Sequence, residues 1–450
     1  MRLPRTDLRE ACLLLNLRLA AFRGTEEDSM KIMSVVGARP NFMKAAPIIT
    51  AIRDHNSRIL QNRAGAEPGL QCPPIQHVLV HTGHHYDEAM SGSFFKDLGL
   101  PAPDIHLGVG SESHAAQTAE IMKRFEVVLL RERPDVLIVV GDVNSTMGCS
   151  LVAAKIAFDE SGTRPLIAHV EAGLRSFDRT MPEEINRIVT DHVSDLLFVT
   201  EESGLRNLAN EGVPAEKIYF VGNTMIDSLL TYKDKAEASS ILDDLGLREG
   251  SRAIKAYALL TLHRPSNVDS RYAFSNVLEG LQELVANYRV IFPVHPRTRK
   301  RIKEHGLEHN FNQNGDRHDS RAQTPVRTSS LITLIDPVGY LDFLCLMKHA
   351  SLVVTDSGGI QEETTWLGIP CVTVRENTER PITVTSGTNA IAGTRKDDIR
   401  DAVHRQMQRK LNPCVPEKWD GRSAARILDA ISREVSRRRS ALAGAVIAPS

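Results

Sequence analysis

The chain has 450 residues, 42% hydrophobic and 25% charged, with 55 basic against 56 acidic side chains and a formal net charge of −1. That length implies two or three cores and that composition is globular. The balance of charge gives no electrostatic footprint for nucleic acid or an anionic membrane, and no run approaches the roughly 18 uninterrupted apolar residues of a spanning helix.

Residues 1–29 mix Arg2, Arg5 and Arg9 with Asp7 and Glu10, and carry no small-residue cleavage site. They read as an extension outside the fold, because Met30 immediately precedes the first clear strand. From Lys31 the pattern alternates short apolar strands with helical stretches. One set of strands is expected at Ile32–Val36, His77–Val80, Val136–Val140, Leu166–Val170 and Leu196–Thr200. A second is expected at Ala258–Leu262, Val290–Val294, Leu331–Ile335, Leu352–Thr355 and Cys371–Val374. Apolar strands alternating with helices predict parallel sheets covered on both faces, hence two doubly wound α/β domains. The expected divisions are 30–230, 253–405, and a closing helix and tail over 406–450. Asp227 to Arg252 is polar and reads as the linker, while Ser57–Pro74 and Asn310–Ser330 read as loops. The six cysteines are scattered without a C-x-x-C pair, as in a reduced cytoplasmic protein. His81, His84 and His85 have no further ligands at metal-site spacing, so no metal is expected.

In an open parallel sheet, ligands bind beyond the carboxyl ends of the strands. Several polar residues fall there: Arg39 and Lys44 after the first strand, then Asp142, then Glu171 and Arg175. His263 and His295 follow strands of the second set. Any one of these could be a turn or capping residue, and Asp142 would suit an N-cap. Five such strand ends are better explained by a shared cleft. Met181-Pro-Glu-Glu-Ile-Asn-Arg187 reads as a helix start, with Pro182 at the first position and Glu183 able to pair with Arg187. At least one of its two glutamates is accounted for structurally; the other would face Asp142 and Glu171. Thr355-Asp-Ser-Gly-Gly359 is a strand end, a glycine turn and a helix start. Ser357, Gly358 and Gly359 suit a phosphate or diphosphate, and Glu362 and Glu363 could accept hydroxyl hydrogen bonds. The sequence has no G-x-x-x-x-G-K-[ST], no G-x-G-x-x-G, no Asp-x-Asp and no G-x-S-x-G, which disfavours P-loop, nicotinamide, metal-dependent transferase and hydrolase chemistry.

Seven motifs in order resemble the non-hydrolysing UDP-N-acetylglucosamine 2-epimerases. They are Gly37–Lys44, Gly141–Thr146, His169–Arg175, Met181–Arg187, Thr261–Arg264, Asp356–Glu363 and Thr378–Pro381. The resemblance implies a glycosyltransferase-B fold with the active site between two Rossmann-like halves. It implies Ser357 and Gly358 on the diphosphate, Glu363 on the ribose and Phe343 by the uracil. Arg39, Lys44, Arg380 and His263 would neutralise the diphosphate. Asp142, Glu171 and Glu183, with His263, would form the catalytic set. It further implies a cytoplasmic homodimer acting on a UDP-sugar with no cofactor. The alternatives are the same reaction on a diacetamido uronic acid, a hydrolysing epimerase releasing free N-acetylmannosamine, a glycosyltransferase, and a UDP-sugar binding protein without turnover. Two departures stand out: Thr82-Gly-His84-His85 replaces a T-x-Q-H pattern tied to activation by a second substrate molecule, and Pro265-Ser266 follows the His-Arg pair where relatives carry an acid.

Overall fold

The structure, a computed structural model, describes residues 29–37, 39–63, 74–83, 99–249, 253–313, 331–409 and 414–447. Strands β1 (Met30–Val36), β2 (Ile75–Gly83), β3 (Ile105–Val109), β4 (Val136–Val140), β5 (Leu166–Ala172), β6 (Leu196–Val199) and β7 (Ile218–Phe220) form one sheet in the order β3-β2-β1-β4-β5-β6-β7. Strands β8 (Arg248–Glu249) and β9 (Ala253–Ile254) make a short antiparallel ribbon. The second large sheet contains β10 (Tyr257–Thr261), β11 (Arg289–Pro293), β12 (Phe311–Gln313), β13 (Ile332–Ile335), β14 (Leu352–Thr355), β15 (Cys371–Thr373) and β16 (Asn389–Ile391). Its order is β12-β13-β11-β10-β14-β15-β16. Every pairing in both large sheets is parallel.

Each sheet thus starts near its middle and reverses direction between β1 and β4 and between β10 and β14; in the second, β13 inserts between β11 and the edge strand β12. These switch points open crevices beyond the strand ends. All five residues of β4 are buried, as are all four of β14, because helices cover both faces. The additional strands β3, β7, β12 and β16 are all at or near sheet edges. Ile218, Tyr219 and Phe220 are only half-buried, and Gly108 interrupts β3 with a φ of +67°.

Two expectations need correction. The helix Arg39–Arg63 runs through Ser57–Arg63, and Phe311–Gln313 pairs with β13, so both expected loops lose their ends to regular structure. The rest of those loops, with residues 1–28, His84 and His85, lies outside the described residues. The supposed linker begins inside a helix, Thr224–Ala236, capped by the Asn223 side chain on the Met225 amide at 2.8 Å. Its polar composition hides a buried stripe of Met225, Leu229, Tyr232 and Ala236. The Ser228 hydroxyl donates to the Met43 carbonyl, and Tyr232 meets Tyr340 edge-on at 6.1 Å, so this helix touches both halves.

The chain then returns to its starting half. Trp419 is buried and donates its indole N–H to the Thr200 carbonyl at 3.0 Å. In the last helix, Ser423–Ile447, Arg439 donates to Asp135 and to the Ser29 carbonyl, and Glu434 accepts from Tyr219. Among the described residues no helix is long and apolar enough to cross a membrane. Cys149, Cys345 and Cys371 are buried free thiols and Cys414 is exposed.

Candidate active site

Glu171 comes from the carboxyl end of β5, where the register with β6 shifts between Val170 and Ala172. Its φ is +77°, a left-handed conformation costly for a residue with a Cβ. Both carboxylate oxygens are engaged. Oε2 pairs with the Lys44 ammonium, and Oε1 accepts from Arg380 Nη2 at 2.7 Å. Lys44 stands on the helix after β1, whereas Arg380 belongs to the second half. One carboxylate therefore ties the two domains together.

Arg380 is fully enclosed by acids. Nη1 reaches Glu379 Oε1 at 2.5 Å and Nε lies 2.8 Å from Glu362 Oε1, the latter an ion contact without hydrogen-bond alignment. Glu379 also pairs with Arg375 at 2.7 Å. Burial would raise the Glu379 carboxyl, but Arg380, Arg375 and Arg187 hold it well below its ordinary value. Glu362 is raised, burial outweighing Arg380. Glu362 is thus occupied by Arg380, leaving Glu363 as the hydroxyl acceptor of the pair. Tyr340 donates to Glu363 at 2.9 Å, yet burial, with help from Glu362, pushes Glu363 up to about 8. Glu201, at the end of β6, is pushed up to about 7 by burial and by Glu362.

The glycine turn meets this cluster directly. Ser357 is the N-cap of the helix Gly358–Leu367, and its side chain makes no capping bond. A Cβ on Gly358 would lie 2.5 Å from Arg380 Nη1 and 2.7 Å from Glu379 Oε1, so a larger side chain there would have to displace the Arg380–Glu379 pair. At Gly359 the nearest obstacle is Met225 Cε at 3.4 Å. Asp356, buried at the end of β14, accepts from the backbone amides of His263 and Arg264 and from His263 Nδ1 at 2.8 Å. That fixes the His263 ring while leaving its side chain 56% exposed. Phe343 sits half-buried on the helix Tyr340–His349.

On the first half, Asp142 is no N-cap, because Val143 takes that place. Its carboxylate pairs with Arg187. Partial burial pushes it up, but Arg187, Lys44 and Arg380 together hold it below its ordinary value, so it stays ionised. Arg187 pairs with Asp142 and Glu184 instead of the expected Glu183. Glu184 also accepts from the amides of Ser176 and Phe177, which makes it the structural member of the Pro-Glu-Glu start. Glu183 is left free to line a cavity of about 490 Å³ with Thr82, His114, Asn144, Ser145 and Asn186. Neither Glu171 nor Arg380 lines this cavity. Glu183 also lies close enough to Arg264 of the second half to act on it electrostatically.

Arg175 is not brought to the others. Its guanidinium is buried against Asp191 at 2.7 Å and Glu211 at 2.7 Å. Asp191 also holds His169 Nδ1 at 2.6 Å, and His169 Nε2 meets the Gly141 carbonyl at 2.8 Å. Arg175 therefore supports the loop that presents Asp142 from behind. His81 is buried and stacks on Phe42 at 5.4 Å. The side chain of Arg39 lies outside the described residues. Glu379, Glu201 and Asp356 were not singled out from the sequence as site residues, and Arg187 only as a partner for Glu183. Asp356 and Glu379 sit inside quoted motifs beside residues that were, so adjacency was the available signal.

Two doubly wound domains facing each other across a charged cleft define the class, a two-domain α/β fold of the glycosyltransferase-B type. The family described as UDP-N-acetylglucosamine 2-epimerase matches residues 70–432. A UDP-N-acetylglucosamine 2-epimerase of Methanocaldococcus jannaschii is 40% identical over 410 residues, covering 89% of this chain and 98% of that protein. A UDP-2,3-diacetamido-2,3-dideoxy-D-glucuronate 2-epimerase of Pseudomonas aeruginosa is 35% identical over 90% of this chain and its own full length. The crystal structure of the M. jannaschii enzyme in complex with UDP-GlcNAc and UDP superposes with a TM-score of 0.72 at 39% identity, covering 89% of this chain and 99% of that one. The chain belongs to the UDP-N-acetylglucosamine 2-epimerase family and is an epimerase.

Proposed function

We propose that this epimerase interconverts UDP-N-acetylglucosamine and UDP-N-acetylmannosamine without hydrolysis. The observation that carries the proposal is the meeting of Asp142 and Glu171 with Arg380 and the N-terminus of the helix Gly358–Leu367. Carboxylates for proton transfer from one half adjoin a cationic, glycine-floored anion site from the other.

The chemistry follows from the substrate. The C2 proton of an N-acetyl sugar is not acidic. Breaking the C1–O bond sends the electron pair away with UDP, gives C1 oxocarbenium character and makes C2–H removable. A carboxylate takes that proton, leaving a glycal with a C1–C2 double bond. Protonation of C2 on the other face and re-addition of UDP at C1 complete the inversion. Acid and base groups are needed on both faces, each contributing roughly 10²–10⁴-fold. Asp142, held ionised, suits the base, and Glu183 and Glu171 supply the remaining groups. Arg380, Lys44, His263 and the helix terminus receive the charge developing on UDP. Glu363, Ser357 and Phe343 hold the nucleotide.

The reading carries with it a cytoplasmic homodimer, checked by light scattering of the purified chain and by fractionation. The deciding experiment is turnover of UDP-N-acetylglucosamine in heavy water. Product and recovered substrate should gain deuterium at C2, with no free N-acetylmannosamine. Epimerisation without C2 exchange would sink the mechanism, and accumulation of free sugar would assign the hydrolysing reaction.

A further inference from the structure

Glu171 holds two cations, both nearly buried. Lys44 takes one carboxylate oxygen and Arg380 the other. Of the three acids around Arg380, Glu362 and Glu379 come from the same half as Arg380, and only Glu171 reaches across the cleft. Arg380 Nη1 lies 2.5 Å from where a Cβ on Gly358 would stand, beside the start of a ten-residue helix whose first amides have no intrahelical partner. In this arrangement Glu171 occupies the cations that a diphosphate needs. A carboxylate with both oxygens committed to cations is also poorly placed to take a proton. Its left-handed backbone is a local strain that holds the side chain up into the cleft.

We infer that Glu171 is an internal substitute for the diphosphate, and that diphosphate binding displaces it from Lys44 and Arg380, freeing it to act on the sugar. This rests on the UDP-sugar reading of the site and adds a specificity role. A ligand without the diphosphate leaves Glu171 bridged and the proton-transfer group unavailable, whereas a bound diphosphate takes both cations. Diphosphate recognition and readiness for proton transfer become one event, coupled through a single side chain.

The test is calorimetric titration of the full chain with UDP, inorganic pyrophosphate and uridine, with the melting temperature of each variant measured alongside. Glu171→Gln removes the competing anion and should tighten UDP and pyrophosphate roughly tenfold while leaving uridine unchanged. Glu171→Asp keeps the charge but is one methylene short of spanning both cations, so it should also tighten UDP, by a few-fold. It serves as the test if Glu171→Gln does not fold. Unchanged or weaker pyrophosphate binding by folded Glu171→Gln overturns the inference. So does Glu171→Asp binding as wild type, since the effect would then be net charge and not bridging. If wild type epimerises UDP-N-acetylglucosamine but neither variant binds tighter, the inference falls and the proposed function stands. If wild type does not turn over that sugar while Glu171→Gln still tightens pyrophosphate, the inference stands and the proposed substrate falls.

Discussion

The two halves share an all-parallel, doubly wound plan, though not an identical strand order, and use it differently. The first half places acids at its strand ends, and two of them are answered by its own cations: Asp142 by Arg187 and Glu171 by Lys44. The second half places a cation, Arg380, among acids that are buried with it, Glu362 and Glu379, and backs it with a helix N-terminus. In the first half the ionised carboxylate Asp142 is what remains available. In the second it is the anion site. A common scaffold leaves chemistry to the side chains at the switch point. The contrast predicts that loss of Asp142 or Glu183 in the first half damages turnover, whereas loss of Arg380 in the second damages nucleotide binding.

The largest expected effect is on turnover. Asp142→Asn and Glu183→Gln should each lose at least roughly 10²-fold in kcat while UDP affinity stays within a few-fold. Loss of UDP affinity equal to that of a second-half mutant would break the division. Next comes Arg380→Ala, which should weaken UDP binding by about 1.5–3 kcal/mol, or roughly 10- to 150-fold. Because it also strands Glu171, Glu362 and Glu379, the melting temperature must be read beside the titration. Arg380→Lys keeps a charge but loses the fork, and should fall between.

How much of this was legible in the sequence differs by layer. The central strands could be read because burial on both faces makes them unbroken apolar runs, as in Val136–Val140. Edge strands such as Ile218–Phe220 are short and half-buried, so nothing marks them off from loop. The helix Thr224–Ala236, where the polar stretch from Asp227 begins, was not read as helix because its polar residues outnumber a stripe that only its 3.6-residue spacing reveals. In the site, motif adjacency located the cluster but not its partners. Arg175 and Glu171 lie four residues apart in one motif, yet the structure sends one behind the loop and the other across the cleft. Pairing over such distances is a property of the fold, and local spacing does not carry it.

A smaller effect concerns pH. Glu363 is pushed up to about 8 from an ordinary value of 4.5, chiefly by burial, and Glu201 to about 7. The folded chain keeps protons that the unfolded chain releases. Their contribution to stability is complete below about 4.5 and is lost as pH rises, through about 7 for Glu201 and about 8 for Glu363. Glu363→Gln should therefore flatten the fall in melting temperature between about pH 5 and pH 8.5, a difference on the order of 1 kcal/mol or more. An identical fall in wild type and variant would place the ionisation elsewhere. In the first half Asp142 and Asp191 are lowered and act in the opposite sense, weakening the fold only in acid.

The smallest expected effect on activity tests Arg175, which the sequence placed among the binding residues. Its guanidinium is spent on Asp191, on Glu211 and on the carbonyl of Leu174 at 2.8 Å. A buried lysine cannot reproduce a fork that serves two carboxylates at once. Arg175→Lys should therefore cost stability, about 1–3 kcal/mol, through an imperfectly paired Asp191 or Glu211. Its effect on the reaction passes only through Asp191, His169 and the Gly141 carbonyl, which precedes Asp142. Well below the melting temperature, kcat and UDP affinity should stay within roughly threefold of wild type, against the 10²-fold of Asp142→Asn. A loss of kcat approaching that of Asp142→Asn with the melting temperature unchanged would mean that Arg175 leaves Asp191 to meet the sugar. The side chain would then belong to the reacting face of the first half and not to its support.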